Sequence, residues 1–218
     1  MSLLPIETVD ADGAVREAEE AVAGDTRAAF FRKAAIGGGE FGQHAHDRPG
    51  SEHRAAAKPS KKQDVAILNY ALTLEYLESA FYVEAVSMGA ISGDALDAAK
   101  IVRDHELAHV KALKSVLGGA AVKKPKFDFK NTTGDQKTFL ATAVALEDTG
   151  VSAYAGQGPR LKQKAVVQAA LAIHSVEARH AAHFRTLAGK SFAPVAFDKP
   201  RTMKQVLKIV TGTGFIKG

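Results

Sequence analysis

Two short doublets, Glu106-Leu107-Ala108-His109 and Glu177-Ala178-Arg179-His180, stand 71 residues apart and constrain this chain more than any other feature. On an α-helix, residues three apart share one face with roughly 5–6 Å between Cβ atoms, so a carboxylate and an imidazole at that spacing can close on one metal ion. A lone Glu-x-x-His arises by accident in any long amphipathic helix. Here each copy has a glutamate upstream at nearly the same interval: Glu75 precedes Glu106 by 31 residues, and Glu147 precedes Glu177 by 30. Each upstream glutamate also has a tyrosine seven residues on, Glu75 with Tyr82 and Glu147 with Tyr154. Seven residues are almost two helical turns, which puts each tyrosine and its glutamate on one stripe. The chain carries the constellation Glu…Tyr…Glu-x-x-His twice.

Cysteine is absent, which excludes thiolate metal sites and disulfide staples. Metal chemistry is then oxygen-rich with some imidazole, a donor set that suits iron or manganese better than structural zinc. Apolar residues make up 46 % of the chain and aromatics only 7 %, a balance that suits packed helices over sheets. The length allows one core of roughly 150 residues with appendages. A net charge of +5 is too modest an excess to argue for specific nucleic-acid binding. No apolar run approaches the ~20 residues that span a bilayer.

Read in order, residues 12–35 have a helical pattern interrupted at Gly24-Asp25-Thr26. Residues 37–62 have three consecutive glycines, two prolines, His44, His46, His53 and a lysine cluster, and no apolar periodicity. They read as a linker whose histidines are solvated. Asp64 opens a long helix, VAILNYALTLEYLESAFYVEAV, apolar nearly all round as befits the middle of a bundle. It ends near Met88-Gly89. Ser92 caps a second helix to about Leu117, where Gly118-Gly119 stops it. Residues 120–134 are a Lys/Pro-rich connection, with Lys123, Lys124 and Lys126 on a solvated loop. Asp135 starts a third helix through Tyr154, broken by Gly156, Gly158 and Pro159, and a fourth runs from about Leu161 to Leu187. Beyond Gly189 lies an extended tail with one last helix capped by Thr202.

The pairing can be tested on the sequence. If two ligands face each other across an antiparallel hairpin, the turn falls midway between them. The midpoint of Glu75 and Glu106 lies between Ala90 and Ile91, and that of Glu147 and Glu177 is Lys162. Both fall at or beside a break. The fifteen residues 120–134 reach roughly 50 Å when extended, enough to cross a bundle end to end. The predicted fold is all-α: a four-helix bundle with a long crossover between helices 2 and 3, an N-terminal helical extension and a C-terminal tail. The expected divisions are 1–62, 63–188 and 189–218.

In such a bundle Glu75, Glu106, His109, Glu147, Glu177 and His180 converge. Four carboxylates balance two divalent cations, and one imidazole per metal leaves positions open; this is the donor pattern of di-iron and di-manganese carboxylate bundles. The alternative, that the glutamates lie on solvated faces, fits poorly with the apolar neighbours of Glu75 in LTLEYL and Glu147 in AVALEDTG. Tyr82 and Tyr154 can hydrogen-bond a ligand carboxylate, act as redox relays or simply pack in the core. Glu78 lies one turn from Glu75, but its repeat partner is Gly150, which points to a supporting or surface role. His174 and His183 have Arg103 and Ala112 as repeat partners, which assigns them to the rim or to packing. Asp104 and Asp148 are candidate acceptors for ligand imidazoles.

The segments DVAILNYALTLEYLESAFY, DHELAHVKAL, FLATAVALEDTGVSAY and IHSVEARHAAHF, with the ending AFDKPRTMKQVLKIVTGTGFI, resemble the bacterial ferritin-like domain proteins related to plant desiccation-related proteins. The resemblance covers about residues 60–216. It implies a ferritin-like bundle and carries over all six ligand positions without substitution, but it implies little about activity. Many relatives carry a twin-arginine export signal. Residues 26–35, TRAAFFRKAA, look like the core of one with a single arginine where two are required, followed by a polar stretch. The expectation is a cytoplasmic protein.

The leading expectation for function is a di-metal protein with two iron or manganese ions that oxidises Fe(II) or reacts with dioxygen or peroxide in oxidative or desiccation stress; whether it turns over as an enzyme is left open. The alternatives are a non-enzymatic protective or structural bundle and a DNA-associated miniferritin-like protein, whose binding would depend steeply on salt. The appendages favour a monomer or homodimer over a cage.

Overall fold

The structure, a computed structural model, describes residues 61–217. The helical stretch expected at 12–35, the linker histidines His44, His46 and His53, and the export-signal-like residues 26–35 lie outside the described residues. Four long helices, Lys61–Met88 (α1), Gly93–Leu117 (α2), Gln136–Gln157 (α3) and Lys164–Leu187 (α4), form the bundle, and a fifth, Met203–Gly212 (α5), lies in the C-terminal tail. α1 packs along α2 and α3 along α4; α1–α3 and α2–α4 contacts join the two hairpins. Among the described residues no helix is long and apolar enough to cross a membrane.

Local chemistry sets the helix ends. Gly89, at φ +68°, ends α1 in the left-handed conformation that glycine takes without steric cost. Asp135 caps α3, accepting from Thr138 N at 2.9 Å. Thr202 and Gln205 form a reciprocal capping box at the start of α5. α1 begins at Lys61, earlier than the sequence suggests. Asp64 is not its cap: fully buried, it accepts from the backbone N–H of Lys162 and Gln163 at 2.9 Å each, fixing the α3–α4 connection. α3 continues through Gly156 to Gln157 and α4 starts at Lys164.

The crossover lies along α1. Asn69 donates to Ala120 O and accepts from Val122 N, both at 2.8 Å. Farther on, Phe129 meets Phe81 edge-on at 5.4 Å, and Thr133 Oγ1 donates to Glu84 Oε1 at 2.7 Å. Ser92 N then donates to Gln136 Oε1 at 3.0 Å, so α3 starts at the same end of the bundle as α2. Within this connection Lys126–Phe127 (β1) pairs antiparallel with Ile216–Lys217 (β2), a two-residue ladder that the sequence reading did not anticipate. The tail is also anchored on α3, where Arg201 N donates to Ser152 O at 3.0 Å.

The apolar core falls into two clusters. One holds Leu74, Leu77, Phe81, Tyr82, Phe139 and Phe184; the other holds Leu68, Leu72, Leu113, Tyr154, Val166 and Ile173. Burying a large apolar side chain contributes about 1.5–3 kcal/mol, so the fully buried Phe81, Phe139 and Phe184 make the first cluster a firm anchor. The polar centre borders both clusters.

Candidate metal centre

Glu75, Glu106, Glu147 and Glu177 are each 0 % exposed, His180 is buried and His109 nearly so. Glu75 comes from α1, Glu147 from α3, and the two Glu-x-x-His doublets from α2 and α4. All six converge. Their donor atoms form two groups, Glu75/Glu106/His109/Glu177 and Glu106/Glu147/Glu177/His180, each with every ligand atom within 4.8 Å of the others. Glu106 and Glu177 belong to both. Oε2 of Glu106 lies 3.3 Å from His109 Nδ1, while its Oε1 lies 3.1 Å from His180 Nδ1.

His109 Nδ1 is hydrogen-bonded to Glu75 Oε2 at 3.2 Å and to Glu106 Oε2 at 3.3 Å, but the other short distances are poorly aligned. His180 Nδ1 sits 3.1 Å from Glu106 Oε1 and 3.3 Å from Glu147 Oε2, yet hydrogen-bonds to neither. Both oxygens of Glu177 are likewise buried without a hydrogen-bond partner. Buried polar atoms are nearly always paired, so a set of close, misaligned donors fits atoms aimed at a shared centre better than atoms aimed at each other. Among the described residues no lysine or arginine forms an ion pair with any of these glutamates. The donor set, four carboxylates and two imidazoles, fits a pair of divalent cations.

Electrostatics follow from this crowding. Burial, then repulsion from Glu75, pushes the Glu106 carboxyl well above its ordinary pKa. Burial, then Glu106 and Glu75, does the same to Glu177. Burial also works to raise Glu75, but hydrogen bonding and the charge of His109 outweigh it and hold this carboxyl below its ordinary value. Burial disfavours the imidazolium forms of His109 and His180, yet the surrounding glutamates raise both.

The tyrosines act across the hairpins. Tyr82 of α1 hydrogen-bonds Glu147 of α3, and Tyr154 of α3 donates to Glu75 Oε1 of α1 at 2.5 Å. Burial first, and then the facing carboxylate, raises both phenols well above their ordinary pKa. Tyr82 stacks on Phe184 at 5.5 Å, so its ring is fixed.

Other assignments change. Asp104 is exposed and accepts from Arg103 Nε at 2.8 Å, and Asp148 accepts twice from Arg185, at 2.9 and 2.5 Å; the nearest charged donor claims each of them, and neither meets a ligand imidazole. His180 Nε2 instead lies 2.9 Å from Nδ1 of the exposed His105, with the two rings stacked at 5.2 Å. His105 has Val176 as its repeat partner, so the duplication gave no signal for it. His174 and His183 join neither donor group; His183 lies against Phe184. Glu78 is buried at 3 % exposure, and burial followed by repulsion from Glu177 and Glu147 raises it well above the ordinary carboxyl value.

A family model described as Ferritin-like domain matches residues 63–190. No curated protein matches the chain.

Proposed function

The chain belongs to the ferritin-like domain family, and from that premise we propose that it is a di-metal carboxylate protein. In this reading Glu75, Glu106, His109, Glu147, Glu177 and His180 bind two divalent ions of iron or manganese. The protein oxidises Fe(II), or reacts with dioxygen or peroxide, in defence against oxidative or desiccation stress. The observation that carries the proposal is the sharing of Glu106 and Glu177 between two donor groups, each with its own histidine. Two such ions side by side supply paired redox changes and Lewis acidity.

The chain's own residues prepare the place. Tyr82 and Tyr154 hold Glu147 and Glu75, the carboxylates that belong to one group each, in fixed orientations. Phe81, Phe139 and Phe184 keep water from one side, so the carboxylate charges act at low dielectric. The α2–α4 face, with the exposed His105 against His180, is the side a small oxidant reaches first. The proposal extends to membership of the bacterial desiccation-related branch, on segments such as DHELAHVKAL. It also includes a monomer or homodimer in the cytoplasm and the division into 1–62, 63–188 and 189–218.

Anaerobic loading with Fe(II) or Mn(II), metal counting, and then exposure to dioxygen or peroxide test this function. Two ions per chain with rapid Fe(II) oxidation, or oxygen release from peroxide, are expected. Wild-type protein that emerges metal-free overturns the proposal, and tight binding without turnover leaves a protective bundle in its place.

A further inference from the structure

Glu78 of α1 is the fifth buried carboxylate at this centre and belongs to neither donor group. Glu75 and Glu147 correspond in the duplication, and three residues after them stand Glu78 and Gly150. A β-carbon on Gly150 would lie 3.1 Å from Glu78 Oε1 and 3.3 Å from Glu177 Oε2. The bare backbone of α3 thus leaves room that these two carboxylates share, and a β-carbon there would press on both and force each to shift by a few tenths of an ångström. Glu177 Oε1 faces His109 Nδ1 at 3.1 Å. With Oε1 turned to the His109 side, Oε2, the oxygen that shares the space at Gly150 with Glu78, is the one free to serve the group containing His180. Both Glu177 oxygens are buried without a hydrogen-bond partner.

We propose that Glu78 is a seventh metal-binding side chain, giving the ion on the His180 side a carboxylate that the ion on the His109 side lacks. The two ions are therefore inequivalent although six of their ligands come from a duplicated pattern. This assignment rests on the di-metal reading of the site. Gly150, at the position that corresponds to Glu78 in the second copy, adds no side chain to the space that Glu78 Oε1 and Glu177 Oε2 share.

Manganese(II) binding to the full chain tests the assignment, with affinities from competition against a chromophoric chelator and the ion environment from electron paramagnetic resonance. Glu78→Gln keeps the shape and removes the charge; Glu78→Asp keeps the charge and withdraws it by one methylene. Circular dichroism verifies that both are folded. Wild type is expected to take up two ions. In both variants one ion is expected to bind more than about 100-fold more weakly, beyond the loss from removing a residue that only supports a ligand, while the other is unchanged, with an altered resonance spectrum. A smaller loss in both reports a supporting residue and overturns the assignment. Wild-type affinities in both variants would overturn the assignment. So would weakening in Glu78→Gln alone, because that reports charge and not ligation. A wild-type protein that binds no manganese or iron removes the di-metal reading itself, a different result from either.

Discussion

Tyr154 on α3 donates its hydroxyl to Glu75 Oε1 on α1 at 2.5 Å, and Tyr82 on α1 returns the bond to Glu147 on α3. Each phenol therefore orients the glutamate of the opposite hairpin, not the one on its own stripe. A hydrogen bond to a charged group contributes about 1.5–3 kcal/mol. Tyr154→Phe is expected to destabilise the metal-depleted protein by about that amount, since Glu75 is held ionised. Urea denaturation reads the change, and an unaltered midpoint would show that this bond stabilises nothing.

The pH dependence of the metal-depleted protein should be inverted relative to ordinary acid denaturation. Glu106 and Glu177 titrate well above 4.5 when folded, so the stability from their protonated forms is fully present below 4.5 and is lost as pH rises through the raised values. His109 and His180, raised above 6.5, act in the same direction: their contribution is present below 6.5 and lost above it. Glu75, lowered, contributes above 4.5 and loses its effect only on acidification. Urea midpoints are expected to be higher at about pH 5.5 than at about pH 8.5. Manganese should reverse the order, because ligands bind metal in their deprotonated forms. A metal-depleted protein more stable at the higher pH contradicts this.

Removing a shared carboxylate and removing an unshared one should differ. Glu106 and Glu177 each serve both groups, whereas Glu75 and Glu147 serve one each. The double variant Glu106→Ala/Glu177→Ala is expected to lose both ions by elemental analysis. Glu75→Ala should lose the ion beside His109 and Glu147→Ala the ion beside His180. Equal losses in all these variants would count against shared donors.

Gly156→Ala tests the anchorage of the tail. Its β-carbon would fall 1.9 Å from the backbone oxygen of Arg201, which no side-chain motion can relieve. Alanine favours a helix interior by about 1 kcal/mol over glycine, but the clash outweighs that gain. A net loss of about 1–3 kcal/mol is expected, together with faster tryptic cleavage after Arg201. A variant as stable and as resistant as wild type would show that the tail does not need this close approach.

The six convergent side chains were legible because helical periodicity reports which face a residue occupies, and the duplication reported the same face twice. Glu78 and His105 were not, because their repeat partners are Gly150 and Val176. For Glu78 the glycine at the partner position adds no side chain to the space that its carboxylate shares with Glu177. The exchange of tyrosines between hairpins depends on which helices face each other across the core, which local spacing does not contain. Asp64 looks like a helix cap in sequence, yet it serves backbone amides almost a hundred residues away. The β1–β2 ladder, two residues to a strand, is too short to leave an alternating pattern.

Neither hairpin carries a whole donor group: one group takes Glu177 from the second hairpin, and the other takes Glu106 from the first. A single hairpin of this kind would have to meet a copy of itself to complete either group. With both copies in one polypeptide, assembly of either group needs no concentration-dependent encounter, and positions such as 78 and 150 need not match.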